Sequence, residues 1–106
     1  MKSYTDLEQS KKLSEIFPPE SADMSWVSNG LGKPFARTIP IKGDPEELCG
    51  CWSLTALLNI LPSATLDTSD DHYCRFRCKQ RCTEWYDNPV DACVAMIEKL
   101  HELGLL

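Results

Sequence analysis

The chain has 106 residues, enough for one domain with its own hydrophobic core and no need of metals or disulfides to hold it. Apolar residues make up 42% and charged residues 25%, the balance of an ordinary globular protein. A net charge of −5 excludes a global field that would draw in nucleic acid or an anionic membrane, and no apolar run is long enough to span a bilayer.

The start, MKSYTDLEQSKK, has no apolar stretch of the kind a secretion signal carries. The expected setting is therefore a reducing cytoplasm, with the six cysteines as thiols or metal ligands rather than disulfides. Thr5 to Phe17 reads as a helix. Thr5 and Glu8 form a capping-box pattern, Leu13, Ile16 and Phe17 share a face with Leu7 off it, and Pro18-Pro19 ends the run. Ala22, Met24 and Trp26 then alternate with Asp23 and Ser25, as in a half-buried strand, and Ser28 to Gly32 is a turn. Phe35, Ile39 and Ile41 share the parity of a second strand, with Arg37 the exception. Pro34 and Pro40 make that strand an edge, because proline cannot donate to a ladder.

Gly43-Asp44-Pro45 breaks the sheet, with Asp44 the cap of a short turn. In CWSLTALLNILP, Leu54, Leu57, Leu58 and Leu61 recur at helical spacing and Pro62 stops the helix. It is apolar on most sides, which places it centrally, with Thr55 and Asn59 as a polar stripe. Ala64, Leu66 and Thr68 form a third candidate strand, followed by a turn at Ser69-Asp70-Asp71. The last helix carries the fullest set of signals. Asn88 caps it, Pro89 takes its first position, Asp91 complements its dipole and Gly104 ends it. Val90, Cys93, Val94, Ile97 and Leu100 form its buried face.

Between them lies HYCRFRCKQRC, residues 72–82. As a helix it would stack Arg75 on Lys79 and Arg77 on Arg81, two like-charged pairs. As a strand it sends Arg75, Arg77, Lys79 and Arg81 one way and Cys74, Phe76, Cys78 and Cys82 the other. The strand is the expected form, with a turn near Lys79-Gln80 able to split it in two.

Three stretches, TDLEQSKKLSEIFPPESADMSW, CWSLTALLNILP and DNPVDACVAMIEKLHELGLL, resemble a set of small uncharacterised proteins from Bacteroides-type gut bacteria, many carried on prophages or other mobile elements. They make up about half of the chain, and the last is the most specific. The resemblance implies a cytoplasmic bacterial setting and no particular activity. Residues 72–82 fall outside it.

Several chemistries compete for the remaining residues. Cys49-Gly50-Cys51, with His72, Cys74, Cys78 and Cys82, supplies the ligand types of a tetrahedral zinc site, but neither cluster has the paired knuckle of structural zinc; thiols filling a core as small apolar residues are the simpler reading. Arg75, Arg77, Lys79 and Arg81, spaced about 6.6 Å apart on one strand face, match the run of a phosphate backbone, with Tyr73, Trp85 and Tyr86 nearby; a solvated or edge-protecting face is the simpler reading there. No phosphate loop, HExxH or GxSxG is present, and nothing pairs His72 or His101 with a thiol, so no catalytic residue is assigned. The leading expectation is a small cytoplasmic accessory module that acts on a protein partner, with zinc or nucleic-acid binding through residues 72–82, or a small enzyme, as the alternatives. Residues 1–106 are expected to form a single α+β domain with a mainly antiparallel sheet, in the order helix, two strands, helix, two or three strands, helix. Its core should hold Ile16, Phe17, Met24, Trp26, Leu54, Leu57, Leu58, Leu61, Cys93, Val94, Ile97 and Leu100.

Overall fold

The computed structural model describes residues 2–28, 33–37, 47–61, 64–71, 73–78 and 81–105. These residues form an α+β domain with three α-helices, α1 (Leu7–Ile16), α2 (Leu54–Ile60) and α3 (Pro89–Glu102), and six strands, β1 (Met24–Val27), β2 (Phe35–Arg37), β3 (Glu47–Cys51), β4 (Thr65–Thr68), β5 (Cys74–Cys78) and β6 (Arg81–Cys82). The strands form two antiparallel three-stranded sheets, ordered β2-β1-β3 and β4-β5-β6. The helix–strand order is the expected one, with β3 added to the first sheet. The turn expected at Ser28 to Gly32 falls largely outside the described residues, as do Ile39, Pro40, Ile41, the Gly43-Asp44-Pro45 break, Pro62 and the Lys79-Gln80 turn.

α3 organises the main core. Its Val90, Ala92, Cys93, Val94, Met96, Ile97 and Leu100 are buried, and it packs on β5 and α2. Its start follows the sequence signals: Asn88 Oδ1 accepts the Asp91 N–H at 2.8 Å and Pro89 occupies the first position. From β5 come Cys74, Phe76 and Cys78; from α2, Ala56 and Leu57; from α1, Leu13. Trp52, just after β3, is fully buried in the same core, with its Nε1 donating to Ser21 Oγ at 3.1 Å.

Four local expectations need correction. The α1 capping box sits one residue later: Asp6 accepts the Gln9 N–H at 2.8 Å, and the Gln9 side chain accepts the Asp6 N–H at 3.0 Å. Thr5 is fully buried and works as a tertiary strut, its Oγ1 accepting the Trp52 N–H at 3.1 Å and lying 2.7 Å from Ser10 Oγ. In β1, Ser25 and Val27 are buried while Trp26 is only half-buried, so both faces of that strand are covered; Ser25 Oγ donates to Glu47 at 2.6 Å. Leu58 is 42% exposed, because α2 is a short helix resting on α3 by one side and is not central. Phe17 and Leu54 are partly buried against the core, and Ile16 is partly buried outside it.

Gly50 is required by a close approach. A Cβ there would lie 2.9 Å from Ala22 Cβ and 3.4 Å from the Trp52 ring. β3 escaped the sequence reading because ELCGC has no β-branched residue; its pairing with β1 and its packing on α1 make it a strand.

Candidate functional site

The second sheet has two unlike faces and two unlike edges. On β5, Cys74, Phe76 and Cys78 are buried against α3, Arg75 is half-buried and Arg77 exposed, as strand parity requires. Opposed residues of an antiparallel pair share a face. Leu66 pairs with Phe76 and Thr68 with Cys74, so they belong to the inner face; Thr65 and Asp67 pair with Arg77 and Arg75 on the outer one.

The outer face is an ion-pair cluster. Asp67 Oδ2 accepts from Arg77 Nε at 2.9 Å and from Arg75 Nε at 3.2 Å. The Arg75 guanidinium also lies over the Trp85 ring, 4.6 Å from its centroid. The expected row of four cations is broken. Arg81 pairs with Cys78 and so takes the inner-face side at the sheet's end, while Cys82 pairs with Arg77 on the outer face. The hairpin causes this inversion: folding the chain back between Cys78 and Arg81 resets the alternation that one continuous strand would have kept. Lys79 lies outside the described residues.

The candidate zinc ligands are distributed over both sheets. Cys49 and Cys51 lie two residues apart on β3 and share a face; Cys74 and Cys78 lie on the inner face of β5; Cys82 is on the outer face of β6; His72 is outside the described residues. None of the six cysteines, all of them described, forms a disulfide. Among the described residues no three His, Cys, Asp or Glu side chains are grouped as a metal ion requires. Burial pushes the Cys93 thiol up to about 12. It pushes Cys51 up to about 11, against the opposing hydrogen bonds of Thr5 and Ser10. Cys49 and Cys74 are also raised by burial, with Lys11 opposing at Cys49 and the charges of Asp87 and Asp91 adding at Cys74. These thiols are held away from the nucleophilic thiolate.

The edges of the second sheet differ more sharply than its faces. On the β6 side, β5 continues its ladder past β6: Thr83 N–H donates to Phe76 O at 3.0 Å, the Phe76 N–H donates to Thr83 Oγ1 at 3.1 Å, and Cys74 and Tyr86 exchange N–H···O bonds of 2.7 and 2.8 Å. On the other side, among the described residues, β4 has β5 as its one strand neighbour. Beside β4, on the inner side, is a groove of about 400 Å³ lined by Leu66, Thr68, Tyr73, Cys74, Asp87 and Pro89. Leu66 is 43% and Tyr73 47% exposed. Sequence reading placed Leu66 on a strand but missed this groove, which arises because the sheet overhangs the start of α3 at its β4 edge.

Comparison of the chain with protein-family models, with curated proteins and with solved structures finds no match. Among the described residues no helix is long and apolar enough to cross a membrane.

Proposed function

We propose that the protein is a small accessory module whose work is to hold a protein partner. The observation that carries this is the juxtaposition, on one side of the second sheet, of an open strand edge and a groove whose aliphatic and aromatic lining stays in water. Grooves that keep apolar side chains exposed beside unpaired backbone are used to recognise other chains. Residence in a reducing cytoplasm and carriage on a mobile element, which the resemblance implies, belong to the same reading. A phosphate-tracking surface is less well supported: on the outer face two guanidiniums share one carboxylate, leaving one positive charge among the described side chains there, and the chain carries −5 overall.

Site-specific photocrosslinking tests the proposal. A photoreactive residue placed at Tyr73 should give one discrete adduct in extracts of the source cells, competed by excess unlabelled wild-type protein but not by Leu66→Asp. The same group at Glu8, on α1, should give none. Absence of any competed adduct at either position would contradict the proposal.

A further inference from the structure

Given that interaction role, we propose that β4 accepts an extended segment of the partner as an added strand, and that this segment carries an apolar side chain with a lysine or arginine two residues away. The backbone supplies the first half of this statement. In an antiparallel ladder, residues alternate between pairs that exchange hydrogen bonds and pairs that do not. Ser69 N–H donates to Tyr73 O at 2.9 Å, which makes 69 and 73 a bonded pair. Stepping by two, Asp67 with Arg75 and Thr65 with Arg77 are bonded pairs as well. The Cys74 and Phe76 amides point the opposite way, to Tyr86 and Thr83, which fixes the same phase independently. The amide and carbonyl groups of Leu66 and Thr68 therefore face the open edge.

That edge lacks the usual protections. Edge strands are shielded by proline, lysine, bulges or extreme shortness. β2, the edge of the first sheet, is three residues long, follows Pro34 and ends in Arg37. β3, its opposite edge, packs on α1. β4 reads Thr-Leu-Asp-Thr, and its one charge, Asp67, points to the outer face and is held by two arginines.

The groove supplies the second half. A residue of the added strand opposite Leu66 would share the inner face with it and enter the groove beside Tyr73 and Pro89. Two residues along, opposite Thr68, its inner-face neighbour would approach Asp87, with the exposed Asp70 and Asp71 at the end of β4. That end is acidic, so it selects a cationic side chain. The same acidity, with −5 on each chain, disfavours a second copy of this protein as the occupant.

The test uses a phage-displayed library of random twelve-residue peptides selected against the full chain. The expected result is enrichment of sequences with an apolar residue and a lysine or arginine two positions apart, on either side. A synthetic peptide of the enriched sequence should shift the amide resonances of Leu66 and Thr68. Thr68→Pro deletes one outward N–H without breaking a bond to β5; it should weaken binding at least tenfold while leaving the melting temperature near that of the wild type. Asp87→Asn should reduce the preference for the cationic residue. Failure to enrich, equal binding to Thr68→Pro, indifference to charge at the second position, or a β4-dependent dimer would each overturn the proposal. The crosslink at Tyr73 separates the two levels: an adduct that survives Thr68→Pro leaves the interaction role standing and removes only the strand addition, whereas loss of every competed adduct in wild type removes both.

Discussion

The two sheets are the same size and are finished differently. The first keeps β2 and β3 as its edges and is braced, just beyond β3, by the chain's own polar groups. Thr5 bridges to Trp52 and Ser10, its carbonyl accepts from Trp26 Nε1 at 3.2 Å, and Asp23 accepts from both the backbone and the hydroxyl of Ser53. The second is closed on its inner face by α3 and on one edge by residues 83–86, while among the described residues β4 has no strand on its other side. Where internal hydrogen bonds complete an edge, as at residues 83–86, that edge serves the fold; where they stop, backbone and apolar surface remain exposed.

The largest effect should come from the closed side of the open sheet. Phe76 is 2% exposed, so Phe76→Asp loses a buried aromatic ring and puts a carboxylate in its place. A cost above about 4 kcal/mol is expected, a large part of the roughly 5–15 kcal/mol by which a domain is stable. A variant with native circular dichroism and an unchanged urea midpoint would break the assignment of β5's faces.

In the first sheet Thr5→Val removes the acceptor of a buried Trp52 amide while keeping the side chain's shape. The expected loss is about 1–3 kcal/mol in urea denaturation. An effect below a few tenths would show that Thr5 does not brace that sheet.

A charged tie joins the N-terminal segment and α1 to the start of α3. Asp91 accepts from Lys2 at 2.7 Å, Gln9 at 2.8 Å and Asn88 at 2.8 Å. Burial raises its pKa, but these hydrogen bonds outweigh burial and hold it below the usual carboxylate value of 3.8. Lys2 is raised above 10.5, its burial being outweighed by hydrogen bonds to Asp91 and Asp6. For Asp91 the lowered folded-state pKa stabilises the protein above the unfolded value, and that contribution fades as pH falls through the folded one. For Lys2 the stabilisation is full below 10.5 and fades as pH rises through the raised value. Asp91→Asn should lose about 1 kcal/mol at neutral pH, and its deficit against wild type should shrink between about pH 5 and 2. A deficit independent of pH across that range would mean that the carboxylate charge does not hold the tie.

The smallest effect belongs to the outer face. Arg77 is half-exposed and its partner Asp67 keeps Arg75, so Arg77→Ser should change stability by less than about 0.5 kcal/mol. A loss near that of Thr5→Val would mean that the outer face is part of the fold after all.

Much of this was legible in the sequence, for local reasons. α3 carries its cap, its proline, its periodic face and its terminal glycine within its own residues, and β5 separates thiols from arginines by parity alone. What escaped depends on distant partners. β3 is a strand because β1 lies beside it, Trp52 is buried within a core assembled from distant elements, and Thr5 left its expected cap for the Trp52 amide. Cys82 and Arg81 exchanged faces because β6 pairs antiparallel with β5, an effect on parity that only the register shows. Of the candidate site, the arginines and Leu66 were visible one by one. The Asp67 bridge and the groove were not, since both need residues that the chain brings together across the sheet and the start of α3.

Amide hydrogen exchange along β4 tests the open edge most directly. In the free protein the Thr65 and Asp67 amides should be protected, and those of Leu66 and Thr68 should exchange close to the rate of an unstructured chain; a bound peptide should slow Leu66 and Thr68 and leave the other two unchanged. Strong protection of Leu66 and Thr68 in the free monomer, or fast exchange at Asp67, would contradict the account.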